Sequence, residues 1–170
     1  VGRVGVWSES GWGLVSCGSV RSILVWAMKG GKSAELNGNT SGCNDVEFSP
    51  EGDRIGSGSD DGTVRVWNLN DPQPQVTLQV GQIVRQIAWH PDGSEFAAIS
   101  DDNLLHFWDG STFEPRRVIV FLSNGQSATF SAGGQMLNCT DDALDQLVQL
   151  SETADSVQLS PVAKPPVTKQ

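Results

Sequence analysis

The sequence predicts an all-β protein made of about four repeated, four-stranded antiparallel sheets. The first observation is a repeat of fixed period, because Trp26, Trp67 and Trp108 are each 41 residues apart. Residues 57–67 align without a gap on residues 98–108 at the same offset. The second observation is that strand-like and turn-like segments alternate inside each copy. A period of this length indicates small structural units that stack on one another.

The second repeat shows its elements most clearly. Four of its segments have the alternation or the β-branched and small residues typical of strands: 45–48, 54–59, 63–67 and 75–79. Pro50 and Gly52 mark the first turn, because proline fixes φ and glycine accepts a positive φ. Residues 60–62, Asp-Asp-Gly, predict a tight hairpin. The outer strand recurs in the other copies at 33–36, 117–121 and 156–159.

Such sheets are apolar on both faces and must therefore stack, as blades around an axis. We expect four units and a disordered tail, at residues 1–38, 39–80, 81–122, 123–160 and 161–170. The tail is predicted from its prolines and its polar end, which offer little apolar area. Residues 141–150 also have leucines at helical spacing, but the repeat register favours a hairpin and a strand there.

Composition narrows the function classes. The chain has 170 residues and a formal net charge of -9, with 11 Lys and Arg against 20 Asp and Glu. This charge argues against direct binding of a nucleic-acid backbone, which needs clustered positive charge. The longest apolar run, 118–122, is far too short to span a membrane. Three cysteines without paired spacing predict reduced thiols inside a cell, in the cytoplasm or alternatively the nucleus.

The repeated motifs resemble those of the WD-repeat family of β-propellers. Residues 48–52 resemble its Phe-Ser-Pro-Asp-Gly turn, residues 57–62 its Ser-Gly-Ser-x-Asp-Gly turn, and Trp108-Asp109 its Trp-Asp pair. The family's Gly-His dipeptide is absent, and Gly38-Asn39 stands in its place in the second repeat. The resemblance covers about residues 1–160 and is weakest in the fourth copy.

The resemblance implies a structural set and a partner-binding set of residues. The structural set is a buried hydrogen-bond chain and the tryptophans at the blade edges: Trp26, Ser57, Asp61, Trp67, Asp102 and Trp108. The partner-binding set precedes the inner strands or the hairpin turns: Arg3, Ser19, Asn44, Asp60, Arg85, Asp101, Gln126 and Asp142. Two arginines beside three aspartates suit a peptide or a protein loop. The alternative is that these side chains are ordinary solvated loop residues.

No cofactor, metal ion or catalytic group is expected. Residues 30–33 resemble the end of a phosphate loop, but Trp26 stands where that pattern needs glycine. The acidic turns do not complete a calcium loop, and their aspartates are typical of turn chemistry. The sequence therefore predicts a non-catalytic interaction scaffold. The alternatives are a sensor or regulatory part of a larger signalling protein and, third, a propeller enzyme.

Four blades of this family's shape are expected to form an open arc rather than a closed ring. The first and fourth repeats have apolar residues where terminal repeats carry a polar cap. We therefore expect further blades from upstream sequence, from another subunit or from a second copy of the chain.

Overall fold

A computed structural model describes residues 2–19, 21–28, 31–121, 125–140, 148–153 and 156–161. Every regular element in these ranges is a β-strand, which confirms the predicted all-β class. The chain divides into two units, Val1–Pro115 and Arg116–Gln170, which are described separately.

The first two repeats form one four-stranded sheet each. The strands of the first sheet are β1 (Gly2–Trp7), β2 (Gly13–Gly18), β3 (Ile23–Ala27) and β4 (Gly31–Leu36). Those of the second are β5 (Cys43–Phe48), β6 (Arg54–Ser59), β7 (Thr63–Asn68) and β8 (Val76–Gln79). Each strand pairs antiparallel with the next one along the chain, as predicted for a blade.

The third repeat begins in the first unit with β9 (Val84–Trp89), β10 (Glu95–Ser100) and β11 (Leu104–Asp109). These strands also pair antiparallel in chain order.

From Arg116 onward the second unit contains β12 (Pro115–Phe121), whose first residue is the last of the first unit. Its other strands are β13 (Ser127–Ser131), β14 (Met136–Cys139), β15 (Val148–Thr153) and β16 (Ser156–Pro161). β12 pairs antiparallel with β13, whereas the repeat register assigns these two strands to different blades. The boundaries between the four predicted blades therefore stay a prediction.

β15 and β16 form an antiparallel hairpin. The described part of segment 141–150 is thus strand, and residues 141–147 lie outside the described residues. The last strand extends to Pro161, the first residue of the predicted tail, and 162–170 also lie outside the described residues.

The predicted turns have the glycine geometry that their sequences require. Gly52 and Gly93 adopt φ values of 74° and 73°, and each donates its N–H over 2.8 Å to the carbonyl of the first residue of its turn. Gly62 closes the Asp-Asp-Gly hairpin at φ 78°, and Asn103 takes the equivalent place at φ 62°. Local sequence chemistry therefore fixes where each repeat reverses direction.

The apolar core lies between sheets rather than within them, as stacking requires. One cluster joins the first sheet, through Val15 and Ile23, to Ile55 and Trp67 of the second. Another joins Val64 and Val66 of the second sheet to residues of β9, β10 and β11, including Phe96.

Gly58 of β6 lies where the third sheet approaches closely. A Cβ atom at this position would stand 2.7 Å from Cγ1 of Val84. Glycine is therefore needed for the second and third sheets to reach contact.

Carboxylates on β5 also join the second and third sheets. Asp45 accepts the backbone N–H of Ile87 and Glu47 accepts that of Trp89, each at 2.9 Å and across 42 residues of sequence. The two acidic side chains therefore satisfy backbone donors on the exposed edge of β9, which no neighbouring strand in its own sheet pairs.

The cysteines correct one expectation. Cys17 of β2 and Cys43 of β5 form a disulfide with a Cα–Cα distance of 5.7 Å, and Cys139 is the free cysteine of the described residues. The expectation of three reduced thiols was wrong because the packing of the first sheet on the second brings two cysteines together from different repeats. Spacing along the chain carried no sign of this pairing.

Candidate partner-binding surface

The structure brings four of the predicted partner-binding residues into two polar pairs. Asn44, at the start of β5, donates from Nδ2 to Oδ1 of Asp60 at 2.7 Å and to the carbonyl of Val84 at 2.9 Å. Asp60 lies in the hairpin between β6 and β7, so the inner strand and the hairpin turn meet at one edge of the sheet.

Arg85 and Asp101 form the equivalent pair one repeat later. The guanidinium donates from Nε and Nη2 to the two carboxylate oxygens, at 2.5 and 2.6 Å. The side chains remain 49% and 41% exposed. The paired Asp101 carboxylate raises the pKa of Arg85, and the guanidinium lowers the pKa of Asp101. We call the four residues Asn44, Asp60, Arg85 and Asp101 the hairpin rim.

The remaining members of the predicted set lie elsewhere or are not described. Ser19 is exposed directly after β2. Arg3 belongs to β1, but its side chain lies outside the described part of the chain, as does all of Asp142. Gln126 precedes β13 in the second unit and is half-buried.

A buried polar network adjoins the rim in the second sheet, because Asp61 follows Asp60 in the hairpin between β6 and β7. Arg65 of β7 donates from Nη1 to Oδ1 of Asn39 and to Oδ2 of Asp61, both at 2.8 Å. Asp61 also accepts the N–H of Thr40 at 2.8 Å and the hydroxyl and N–H of Thr63. Burial alone would raise the pKa of Asp61, but the donors from Thr63, Thr40 and Arg65 outweigh it and lower the pKa well below its usual value.

The third sheet builds a similar network around a histidine. Ser100 donates its hydroxyl to Asp102 and lies 3.4 Å from Nε2 of His106. The imidazole stacks on the Trp108 ring at a centroid distance of 5.8 Å. Burial lowers the pKa of His106, and the nearby charge of Asp102 opposes this effect.

Sequence reasoning missed the basic member of both networks. Arg65 and His106 stand one period apart on the third strand of their repeats. The alignment of the chain with itself at the 41-residue period could therefore have shown that a basic residue recurs at this position. In the second repeat the basic residue is Arg65, on the strand that follows the acidic turn. Its acceptor, Asn39, stands at the position of the family's missing histidine.

The implied hydrogen-bond chain does not include all of its expected members. Ser57 is fully buried, and its hydroxyl has no partner among the described residues. Trp67 donates its indole N–H to the carbonyl of Asn37 at 3.4 Å, not to Ser57 or Asp61. Trp26 donates to the hydroxyl of Ser16 at 3.0 Å within the first sheet. These tryptophans act through packing and a single hydrogen bond each.

Within the described residues, no group of three or more His, Cys, Asp or Glu side chains is placed to hold a metal ion. The same part of the chain contains no helix long and apolar enough to cross a membrane.

The sheets and their shared motifs define a class of protein, a tandem array of four-stranded antiparallel units of the β-propeller kind. Residues 30–68 and 73–109 match the family model described as "WD domain, G-beta repeat". The chain belongs to the WD-repeat family, which confirms the resemblance of its motifs.

Several WD-repeat proteins are similar to this chain. A periodic tryptophan protein 2 homolog of Neurospora crassa is 34% identical over 105 residues, which cover 59% of this chain and 12% of the relative. The small ribosomal subunit protein RACK1y of Oryza sativa subsp. japonica is 31% identical over 121 residues, 71% of this chain and 34% of the relative. The ribosome biogenesis protein BOP1 of Rattus norvegicus is 46% identical over 62 residues, 35% of this chain and 8% of the relative. The chain thus spans at most about a third of the length of these relatives.

Proposed function

We propose that this chain is a non-catalytic scaffold for protein–protein interaction and that the hairpin rim binds a polar segment of a partner protein. The observation that carries the proposal is the half-exposed Arg85–Asp101 pair beside the Asn44–Asp60 pair. Together they present a guanidinium, an amide and two carboxylates along one edge of two neighbouring sheets. A peptide backbone or a protein loop supplies the matching donors and acceptors.

The relatives support a partner within an assembly. Their names refer to ribosome biogenesis and to the small ribosomal subunit. We propose by analogy that this chain works in a multi-subunit complex or in a longer chain that completes the propeller. A net charge of -9 opposes direct contact with a nucleic-acid backbone, so the partner surface is taken to be protein.

A regulatory role within a larger signalling protein is the second candidate. It is favoured by the small share of each relative that this chain covers. An enzymatic role is the third candidate, and no observation on the described residues favours it over a scaffold.

The compartment is proposed to be the cytoplasm or, alternatively, the nucleus, by analogy with relatives whose names refer to the small ribosomal subunit and to ribosome biogenesis. A reducing compartment keeps cysteines as thiols, so the Cys17–Cys43 disulfide argues against both. Acid-quenched alkylation of the native protein, followed by mass measurement, would decide whether this pair is oxidised in the cell.

The rim is tested by affinity purification of the tagged chain from native extract, with mass spectrometry of what co-purifies. We expect a specific set of proteins that is lost with Arg85→Ala and with Asp101→Ala. The matched control is Thr77→Ala, an exposed change on the outer strand β8. Retention of the same proteins by both rim variants would refute the assignment of the rim.

A further inference from the structure

A pocket of about 260 Å³ lies at the edge of the sheets opposite the hairpin rim. It opens where the inner strands β1, β5 and β9 end, at Trp7, Phe48 and Trp89. The rim residues Asn44 and Arg85 instead lie at the beginnings of β5 and β9. The pocket is therefore separate from the surface of the proposed function.

The pocket combines exposed aromatic surface with carboxylates. Trp7 is 55% exposed, although large aromatic side chains are normally buried. Glu9 and Glu47 contribute carboxylates to the same wall, and Pro50 and Pro91 complete it. No lysine, arginine or histidine is among the described residues that line it. An indole face beside carboxylates is the chemistry that attracts a cation.

The negative charge of Glu47 is only partly balanced by hydrogen-bond donors. One oxygen, Oε2, accepts the N–H of Trp89 at 2.9 Å. Burial still raises the pKa of Glu47, and the neighbouring charge of Asp45 adds to this effect. A cation entering the pocket would oppose both contributions.

Arg54, which contacts Trp89 of the pocket lining, is engaged by other groups. Arg54 lies over the Trp89 ring, with its guanidinium carbon 5.1 Å from the ring centroid. It donates to the carbonyl of Gly110 at 3.0 Å and pairs with Asp53 and Glu51. Trp7, Glu9 and Glu47 therefore have no basic partner among the described residues that line the pocket.

Trp89, which also lines the pocket, carries a buried polar group. The residue is 8% exposed, and its indole N–H has no acceptor among the described residues. Buried donors of this kind are normally satisfied.

We propose that this pocket binds an arginine side chain presented by an extended segment of a partner protein. A planar guanidinium can stack on the exposed Trp7 ring while its N–H groups fork to a carboxylate. Lysine has a compact ammonium group that cannot make both contacts in one plane. Arginine is thus the cation that suits an indole face and carboxylates in the same pocket.

The probe is the capped pentapeptide Ala-Ala-Arg-Ala-Ala, titrated into the ¹⁵N-labelled full chain. The readout is the indole N–H signals of the tryptophans, assigned with single Trp→Phe variants. We expect the Trp7 and Trp89 signals to shift with saturation at millimolar peptide. The citrulline peptide, which has the same shape but no charge, should bind about tenfold more weakly, and so should the lysine peptide.

Variants separate this pocket from the rim. Glu9→Gln and Trp7→Ala change exposed side chains and should each weaken arginine-peptide binding several-fold, with the protein still folded by circular dichroism. Glu47→Gln keeps an acceptor for Trp89 and should weaken binding in the same way. Asp101→Ala, in the hairpin rim, should leave binding unchanged.

The proposal is overturned by equal binding of the citrulline or lysine peptide, by unaltered binding in Glu9→Gln and Trp7→Ala, or by no shift at all. Because Asp101→Ala tests the rim by itself, the two sites can fail independently.

Discussion

Replacing Arg65 with methionine would remove the cation from the buried network of the second sheet. Arg65 and Asp61 have side-chain exposures of only 10% and 8%. Methionine fills a similar length but offers no donor to Asp61 or Asn39. We expect a marked loss of stability, because Asp61 keeps its charge in a buried position.

The size of the expected loss in the free energy of unfolding depends on the donors that remain around the Asp61 carboxylate. Removing one partner of a buried ion pair costs about 3–5 kcal/mol. Asp61 retains donors from Thr40 and Thr63, so we expect the lower end, about 3 kcal/mol. With an m-value of about 2 kcal/mol per molar urea, the unfolding midpoint would fall by about 1.5 M.

The assay is urea unfolding followed by tryptophan fluorescence, with Arg85→Met as the matched control. Arg85 also pairs with an aspartate, but its guanidinium is exposed, so its midpoint should not change measurably. If the urea midpoint of Arg65→Met fell no further than that of Arg85→Met, the role of burial in this network would be refuted.

The pH dependence provides a second test of the same network. The pKa of Asp61 in the folded protein lies below its usual 3.8, so its stabilisation is present above that pH and is lost as the pH falls. Arg65→Met removes one cause of the lowering. The difference in unfolding free energy between the parent and Arg65→Met should therefore narrow below about pH 4, and a constant difference would contradict the assignment.

Three further outcomes are expected. Cys17→Ser should lower the free energy of unfolding by about 3.5 kcal/mol, because the disulfide closes a loop across 26 residues. Cys139→Ser, the control, should leave the free energy of unfolding unchanged, and equal effects of the two substitutions would argue against the bridge. Gly58→Ala should lower the free energy of unfolding by about 1–3 kcal/mol, since the new methyl group meets Val84. Gly5→Ala is the control that should change it little, because the added Cβ has no neighbour nearer than 3.7 Å. Elemental analysis of the purified chain should find no stoichiometric Ca²⁺ or Zn²⁺, and one ion per chain would disprove this.

Local and periodic features could be predicted from the sequence. Pro50 and Gly52 specify their turn through backbone chemistry alone, so its position was predictable. The repeat register also placed Arg85 and Asp101 at one edge, because residues at equivalent positions of a repeat occupy equivalent places in the fold. Their pairing, at 2.5 and 2.6 Å, agrees with that register.

Features that depend on contact between sheets could not be predicted in this way. The pairing of Cys17 with Cys43 needs the packing of β2 against β5, which spacing does not encode. The pocket beside Trp7 needs three strand ends to converge, so no single repeat contains its pattern. The cation in the network of the second sheet was missed because Arg65 lies on the third strand of its repeat, whereas the family's histidine precedes the innermost strand.

The links between neighbouring sheets have a consequence for how the first unit unfolds. In a stack of repeats, stability is approximately a sum of the intrinsic stability of each unit and a coupling term for each junction. The Cys17–Cys43 bridge strengthens the first junction covalently, and Asp45 and Glu47 strengthen the second through backbone donors of β9. Strong junctions suppress the peeling of single repeats from an end. Amide hydrogens of β2, β5 and β9 should therefore exchange through one shared opening event with one free energy, as a single cooperative unit.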